Sequence, residues 1–353
     1  MHVVFAMPSI GLGHATRTLP LINATLEDGH RVTVFSWGNA LALLKQELKD
    51  KVKYHLIPDY DIGFGTEAPG AFDVIIRLPS ILSMVRAENN YLRRFNKTDH
   101  IDRIVSDGKY GFFLEGTPSF HLINQLRLRH SKFPNIDGNA TEICNALALR
   151  KFKGILIPDY EENSLGGILD HNPKFFDKKK LHYIGIISGI SKKNVAKDID
   201  VFISVSGPGD SRTLFQQKIL NEAPSLSGKI VVTLGNPSAE KFKSSSKLTI
   251  YSYLNRKQQE LMLNRAKLVV SRSGYTTLME LTEIEQNAFF VPIPRQFEQE
   301  YLAEYHQKLG HFHYNTQDKF DLVKDIEIAK QNKGIHGMPK TKKTIENFKQ
   351  LVL

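Results

Sequence analysis

A chain of 353 residues is long for a single core and points to two domains. Its composition, 41% hydrophobic and 24% charged, is that of a globular protein, and no run approaches the roughly 20 apolar residues of a membrane-spanning helix. The net charge of +10 asks for an acidic partner, while the single cysteine, Cys144, excludes an intrachain disulfide or a multi-cysteine metal site and suits the reducing cytoplasm.

Met1 to Met7 lacks a basic leader, so Val3 to Met7 reads as a first strand and not as a signal peptide. Pro8 to Gly13 is a Gly-rich turn, and Thr16 to Asp28 is a helix with Pro20 near its first turn and Gly29 closing it. Strands follow at Arg31 to Ser36, Lys53 to Ile57, Ile104 to Ser106 and Gly154 to Pro158, a doubly wound pattern on a parallel sheet. After a basic, irregular stretch from Ile187 to Lys197 the pattern restarts with a strand at Val201 to Ser206, a turn at Gly207 to Asp210 and a helix at Thr213 to Asn221. Further strands are predicted near Lys229 to Leu234, Lys247 to Tyr251, Leu268 to Ser271 and Ala288 to Val291. The fold class is therefore α/β, with two Rossmann-like doubly wound halves over residues 1–186 and 187–340. The tail, 341–353, places Ile345, Phe348 and Val352 at helical spacing.

Leu78 to Arg103 interleaves Ile81, Leu82, Met84, Val85, Tyr91, Leu92 and Phe95 with Arg77, Arg86, Arg93, Arg94, Lys97 and Arg103. Such a basic amphipathic helix either lies on anionic lipid or packs on its own sheet with its arginines in solvent. Lysine runs such as Lys178-Lys179-Lys180 also serve plain solubility. No zinc finger, basic zipper or RNA-recognition signature is present, so nucleic acid is not expected as a partner.

Gly11-Leu12-Gly13-His14-Ala15-Thr16-Arg17 follows the first strand and opens a helix. It departs from the dinucleotide fingerprint, because Thr16 stands at the third glycine and the second strand ends in Phe35-Ser36-Trp37-Gly38 without a ribose-binding acid. At the helix start, His14 is placed to take a proton from an attacking hydroxyl, to donate to a phosphate, or to cap the helix. Asp107, in Ser106-Asp107-Gly108, ends a strand that faces the ligand crevice of an open α/β sheet; it is a second candidate base, or an Asp serving its own turn. Glu115, Asn124 and Gln125 are further polar residues near predicted strand ends.

In the second half, Ser206-Gly207-Pro208-Gly209-Asp210-Ser211-Arg212 follows a strand and suits a backbone nest for phosphate. Asp210 opposes a diphosphate there and Arg212 offsets it, and a turn with Asp210 as helix cap is the competing reading. Tyr251-Ser252-Tyr253-Leu254-Asn255 ends a strand where backbone groups can meet a base edge and an aromatic ring can cover it, with Tyr253 and Leu254 as candidates. The clearest motif is Val269-Val270-Ser271-Arg272-Ser273-Gly274-Tyr275-Thr276-Thr277-Leu278-Met279-Glu280. An apolar strand, a Gly turn and a helix start offer the N–H groups around Ser273, Gly274, Tyr275 and Thr276 to an anion such as a diphosphate. Arg272 adds a charged donor fork, and Glu280 is placed to accept from two neighbouring ribose hydroxyls. Val291-Pro292-Ile293-Pro294-Arg295-Gln296-Phe297-Glu298-Gln299 then brings Gln296, Glu298 and Gln299 to the next helix start, where a sugar is read by its hydroxyls.

These last two segments together resemble the donor signature of glycosyltransferase family 28, the MurG-like nucleotide-sugar glycosyltransferases. The resemblance implies the GT-B fold, two facing Rossmann-like domains with a cleft between them. It implies a Gly-rich first loop in which Gly11 and Gly13 let the backbone approach acceptor or donor phosphates. It also implies a last helix that crosses back onto the first domain. The implied reaction is inverting transfer of a sugar from a nucleoside diphosphate, UDP in this reading, to an acceptor hydroxyl on a lipid-linked or glycan acceptor. His14 or Asp107 would be the base, the nucleotide sugar the co-substrate, and no other cofactor would be needed. No metal is expected, although Asp-x-Asp pairs occur at Asp59/Asp61 and Asp198/Asp200. The place of work would be the cytoplasm, with peripheral contact to the anionic inner face of the membrane. Two alternatives stand beside this one: a UDP-sugar 2-epimerase-like enzyme of the same fold, and a non-catalytic partner that binds nucleotide sugar.

Overall fold

The structure, a computed structural model, describes residues 1–9, 12–59, 71–128, 134–236 and 242–353. The described residues form two compact units, one of residues 1–189 and 339–353, the other of 190–338.

In the first unit the strands are β1 (His2–Ala6), β2 (Arg31–Ser36), β3 (Lys53–Leu56), β4 (Arg103–Asp107), β5 (Ser119–Leu122), β6 (Gly154–Ile157) and β7 (Leu181–Tyr183). They form one seven-stranded sheet in the order β3-β2-β1-β4-β5-β6-β7, with every pairing parallel. The helices are α1 (Gly13–Glu27), α2 (Gly38–Leu48), α3 (Ala71–Thr98) and α4 (Pro134–Leu149). Because helices cover both faces, β1 is buried along its whole length and reads as a continuous apolar run instead of an alternating one. Phe5 and Val105 pack toward α1, whereas Val4 and Ile104 pack with Leu92 of α3.

α1 starts at Gly13, one turn before the predicted Thr16, so Pro20 falls inside the helix. Gly29 closes it at φ +77°, where a side chain would be strained. The strands β5 and β7 escape the sequence pattern. β5 is four residues long and carries polar Ser119 and His121, and β7 is a three-residue edge strand with half-buried side chains.

The second unit contains β8 (Ile199–Ser204), α5 (Gly209–Glu222), β9 (Ile230–Thr233), β10 (Phe242–Ser244), β11 (Leu248–Tyr251), α6 (Arg256–Arg265) and β12 (Ala266–Ser271). It continues with α7 (Tyr275–Ile284), β13 (Ala288–Phe290), α8 (Phe297–Lys308), β14 (His313–Tyr314) and α9 (Leu322–Ala329). Its sheet order is β10-β11-β9-β8-β12-β13-β14, parallel except for β10 against β11.

The last helix, α10 (Thr341–Val352), is distant in sequence from the unit it completes. Phe348 and Val352 enter the core of the first sheet beside Phe5, Leu19 and Ile22, and Ile345 is half-buried. Thr344 Oγ1 donates to the Ile186 carbonyl at 2.6 Å, and Asn347 Nδ2 donates to the Ile184 carbonyl at 3.1 Å.

Candidate functional site

Each sheet has one topological switch point, where the strand order reverses: between β1 and β4 in the first unit and between β8 and β12 in the second. The carboxyl ends of strands at such a point form the ligand crevice of an open α/β sheet. The motif residues lie there in both units.

In the first unit, β1 and β4 run side by side with Ala6 opposite Ser106. This pairing carries His14, the second residue of α1, to Asp107, the last residue of β4. His14 Nδ1 lies 2.8 Å from Asp107 Oδ1. Arg17, one turn along α1, grips the same carboxylate, with Nε 2.7 Å from Oδ2 and Nη2 on Oδ1. Its Nη1 donates to Asn124 Oδ1 at 2.8 Å, and Thr18 Oγ1 lies 3.1 Å from Asp107 Oδ2. Burial pushes the Asp107 carboxyl up, but the charges of Arg17 and His14 and their hydrogen bonds outweigh it and hold the group well below the usual carboxylate range. An ionised carboxylate only accepts and a guanidinium only donates, and His14 Nδ1 lies against both, with Arg17 Nη2 at 3.0 Å. The His14 side chain is 26% exposed and that of Asp107 is 0% exposed.

This geometry corrects the expectation that Asp107 is a candidate base. Its two oxygens are enclosed and occupied, so it orients His14 and does not itself reach an acceptor. Gly11 lies outside the described residues. Gly13 is the first residue of α1. Arg17 and Thr18 were missed by sequence reasoning; the i, i+3 spacing of Arg17 from His14 was the signal that could have found it.

In the second unit, Arg272 follows β12 and is 3% exposed. Its Nε donates to the Ser206 carbonyl at 3.2 Å, and Nη1 to the carbonyls of Val291 at 2.9 Å and Pro292 at 3.2 Å. Nη2 donates to Gln317 Oε1 at 2.7 Å and to the Ser211 carbonyl at 3.2 Å, and the guanidinium stacks on Phe215. Burial pushes its pKa down to about 9. The expected diphosphate donor is therefore a tie among the loops after β8 and β13 and the first turn of α5, because its five N–H groups meet oxygens of its own unit. Gln317, in the loop before α9, carries no local sequence signal for this role.

Ser273 is likewise enclosed, its Oγ donating to the Gln299 carbonyl at 2.8 Å. Gln296 caps α8 by accepting from Gln299 N at 2.8 Å, and Gln299 Oε1 accepts from Ile293 N at 3.0 Å. These three residues join the starts of α7 and α8, contrary to the expectation that their side chains all face a ligand; the Nε2 of Gln299 has no partner among the described residues. Tyr275 and Leu254 are also buried, so only their backbone can face a ligand, whereas Tyr253 is 46% exposed. Glu298 and Thr276 are half-buried in the first turns of α8 and α7.

Gly274 is the N-cap of α7, with no side-chain cap. Gly207 sits at φ +125°, and a Cβ there would come within 3.4 Å of Ile293, so the β8 loop lies flat on its neighbour. Ser206 is exposed, and Arg212 donates Nη1 to the Gly235 carbonyl at 3.2 Å. α5 opens at Gly209 with Pro208 as its N-cap, which puts Asp210 inside the first turn instead of at the cap. Glu280 is half-buried on α7 and its carboxylate has no hydrogen-bond partner among the described residues. Burial, aided by the charge of Glu260 and opposed by Arg256, pushes its pKa up to about 7.

The Asp-x-Asp pairs serve other ends. Asp59 accepts from Ser9 N at 2.7 Å and lies 3.4 Å from buried Lys109, while Asp61 falls outside the described residues. Asp198 and Asp200 sit at the opposite end of β8 from the site, paired with Arg265, Lys229 and Lys267. Among the described residues, Asp159, Asp170 and His171 alone converge closely enough to share an ion. Asp159 already accepts from the N–H groups of Tyr160, Leu165 and Gly166 and from Ser164 Oγ, so it secures its loop. On α3, Glu88, Asn89 and Leu92 are buried against the first sheet, whereas Arg86, Arg93, Arg94 and Lys97 are exposed.

Comparisons with known proteins agree with this architecture. Residues 202–352 match the glycosyltransferase family 28 C-terminal domain. A UDP-N-acetylglucosamine--N-acetylmuramyl-(pentapeptide) pyrophosphoryl-undecaprenol N-acetylglucosamine transferase of Rickettsia rickettsii is 23% identical over 298 residues, which cover 76% of this chain and 63% of that protein. The spinosyn rhamnosyltransferase SpnG superposes with a TM-score of 0.65 at 14% identity, covering 99% of this chain and 96% of its own. MurG of Acinetobacter baumannii superposes at 0.55 and 15% identity, covering 99% and 94%. Residues 202–352 thus match the glycosyltransferase family 28 C-terminal domain, in a chain that is similar to MurG and has the GT-B fold of two Rossmann-like domains.

Proposed function

We propose that the chain is an inverting glycosyltransferase that moves a sugar from a nucleoside diphosphate, UDP in this reading, to an acceptor hydroxyl. The observation that carries it is Glu280, a half-buried carboxylate with no hydrogen-bond partner among the described residues, on the helix that ends the β12 loop and starts at Gly274 without a side-chain cap. Neighbouring ribose hydroxyls would satisfy that carboxylate, and the N–H groups of the helix start would meet the diphosphate. The second unit would hold the donor and the first the acceptor. His14 Nε2 would accept the proton of the attacking hydroxyl while Asp107 steadies the imidazolium that forms. Charge growing on the departing diphosphate would be met by backbone N–H groups and by Arg212, without a divalent ion.

A lipid-linked acceptor is part of this proposal, with peripheral contact of the exposed arginines of α3 to anionic lipid. No described helix is long and apolar enough to cross a membrane.

The test is calorimetric titration of UDP-, GDP- and dTDP-sugars, followed by assay with lipid-linked and glycan acceptors in EDTA. Binding of UDP-sugar and acceptor-dependent, EDTA-resistant release of UDP support the proposal. Sugar isomerisation without acceptor would identify an epimerase. Donor binding without turnover, with every acceptor class tried, would identify a non-catalytic binding partner.

A further inference from the structure

Trp37 is the only tryptophan of the chain and follows β2 at its carboxyl end. It is the N-cap residue of α2, but its side chain caps nothing. The ring is 43% exposed, stacks on no other ring, and its Nε1–H has no hydrogen-bond partner among the described residues. Tryptophan is highly buried on average, so a ring left in solvent at a ligand crevice is a contact surface for something else. Two more exposed apolar side chains stand at the ends of the neighbouring strands. Leu56, opposite Ser36 at the end of β3, is 60% exposed, and Leu12, the N-cap of α1, is 44% exposed.

The turn that carries Trp37 is held against the segment after β1 that leads to His14. A Cβ on Gly38 would come within 2.8 Å of Ser9 Oγ, which also accepts from Ala40 N at 3.3 Å. On the other side of the same segment, a Cβ on Gly108 would come within 3.4 Å of His14 Cε1 and 3.5 Å of Pro8. In the sheet, β2 and β4 flank β1. Neighbouring strands lie about 4.8 Å apart, so the strand end bearing Trp37 is about 10 Å from the one bearing Asp107 and its partner His14. A molecule that spans the two must bring a hydroxyl to His14 and a flat apolar face to the indole. A sugar has both, with hydroxyls around the rim of each ring and C–H bonds on its faces that meet the negative face of an aromatic ring. An alkyl chain laid there would strip water from Nε1–H and from the exposed amide of Asn39 without replacing it, whereas sugar hydroxyls supply new partners.

We propose that Trp37 is a specificity-determining residue of the acceptor site: the acceptor is a carbohydrate that lays a sugar ring on the indole while it presents its hydroxyl at His14. The inference rests on the reading of the first unit as the acceptor's, but sugar binding at Trp37 is measurable without donor or turnover. The ring is the shared chemistry of a free glycan and of a sugar carried on a lipid.

Because the chain has a single tryptophan, its emission reports this position alone. The experiment titrates the full-length protein with methyl and hexyl glycosides of glucose, galactose, mannose and N-acetylglucosamine, and with hexanol, by tryptophan fluorescence and calorimetry. The expected result is saturable binding of at least one glycoside, which shields Trp37 from acrylamide quenching, and no such effect of hexanol. A hexyl glycoside that binds more tightly than its methyl counterpart supports a lipid-linked sugar, and equal binding supports a free glycan. Trp37→Leu keeps apolar bulk and removes the aromatic face. It should weaken that glycoside about tenfold or more and raise the acceptor KM alike, with kcat little changed, because stacking is present in ground and transition states. Trp37→Phe should retain most of the affinity. No response to any glycoside, an equal response to hexanol, or unchanged affinity in the folded leucine variant overturns the proposal. Should that variant not fold, a glycoside that binds the wild type and leaves Trp37 open to acrylamide overturns it instead. If the wild type transfers no sugar from any UDP-sugar while a glycoside still shields Trp37, the transferase reading fails and the stacking site stands.

Discussion

Replacing Glu280 by glutamine should make the protein more stable and a poorer binder of donor at once. Burial lifts the Glu280 carboxyl from its ordinary 4.5 to about 7. The folded state therefore holds this proton more tightly than the unfolded chain does. Its contribution is most favourable below pH 4.5 and is lost as pH rises through 7. The difference, 7 − 4.5, at about 1.4 kcal/mol per pH unit, makes the charged group cost up to about 3 kcal/mol above pH 7. Glu280→Gln removes that cost, so denaturant unfolding should show a gain approaching this value at pH 8 and almost none at pH 4.5. The same change replaces a charged acceptor of ribose hydroxyls by a neutral one. Hydrogen bonds to charged groups are worth about 1.5–3 kcal/mol, which corresponds to a donor Kd weakened about 10- to 100-fold. Turnover at saturating donor should change little, because a ribose contact is made equally in ground and transition states. A variant that gains no stability at pH 8 and binds UDP as the wild type does would refute both the burial argument and the ribose assignment.

His14→Ala should lower turnover by about 10²- to 10⁴-fold with donor affinity unchanged in calorimetry; a parallel loss of donor affinity would make His14 a phosphate contact instead. Arg272→Ala should act on stability first, costing about 2–4 kcal/mol in denaturant unfolding because five N–H···O bonds and the Phe215 stack are lost together. A folded, equally stable variant with reduced turnover would restore Arg272 to the ligand site. His121 is pushed down to about 3 by burial, so the unfolded chain takes up a proton that the folded one refuses. Stability should be fully present above pH 6.5 and fall by about 1.4 kcal/mol per pH unit from there toward 3, and His121→Phe should flatten that slope in urea unfolding.

Much of this protein was legible in one dimension because its signals are local. Parallel strands buried on both faces must be apolar runs, so β1, β2, β8 and β12 stand out, as does the Gly turn that starts a helix after β12. The place of Glu280 on α7 was legible because an acid on the first turns of such a helix lies at a fixed offset from the N–H groups at its start.

What the sequence left open are properties of neighbours distant along the chain. His14 and Asp107 are 93 residues apart, and only the pairing of β1 with β4 makes one of them the exposed ring and the other the buried support. Arg272 looked like a ligand's donor because its own segment contains no acceptor for it; the carbonyls that occupy its fork arrive from the loops after β8 and β13, and Gln317 from the loop before α9. α10 was visible as an amphipathic helix. That it completes the first sheet, with Phe348 beside Phe5, was decided by the apolar surface that sheet would otherwise leave exposed. Residue type and spacing thus set which elements form and which chemistry is available, while packing of remote segments decided which side chains that chemistry leaves facing a ligand.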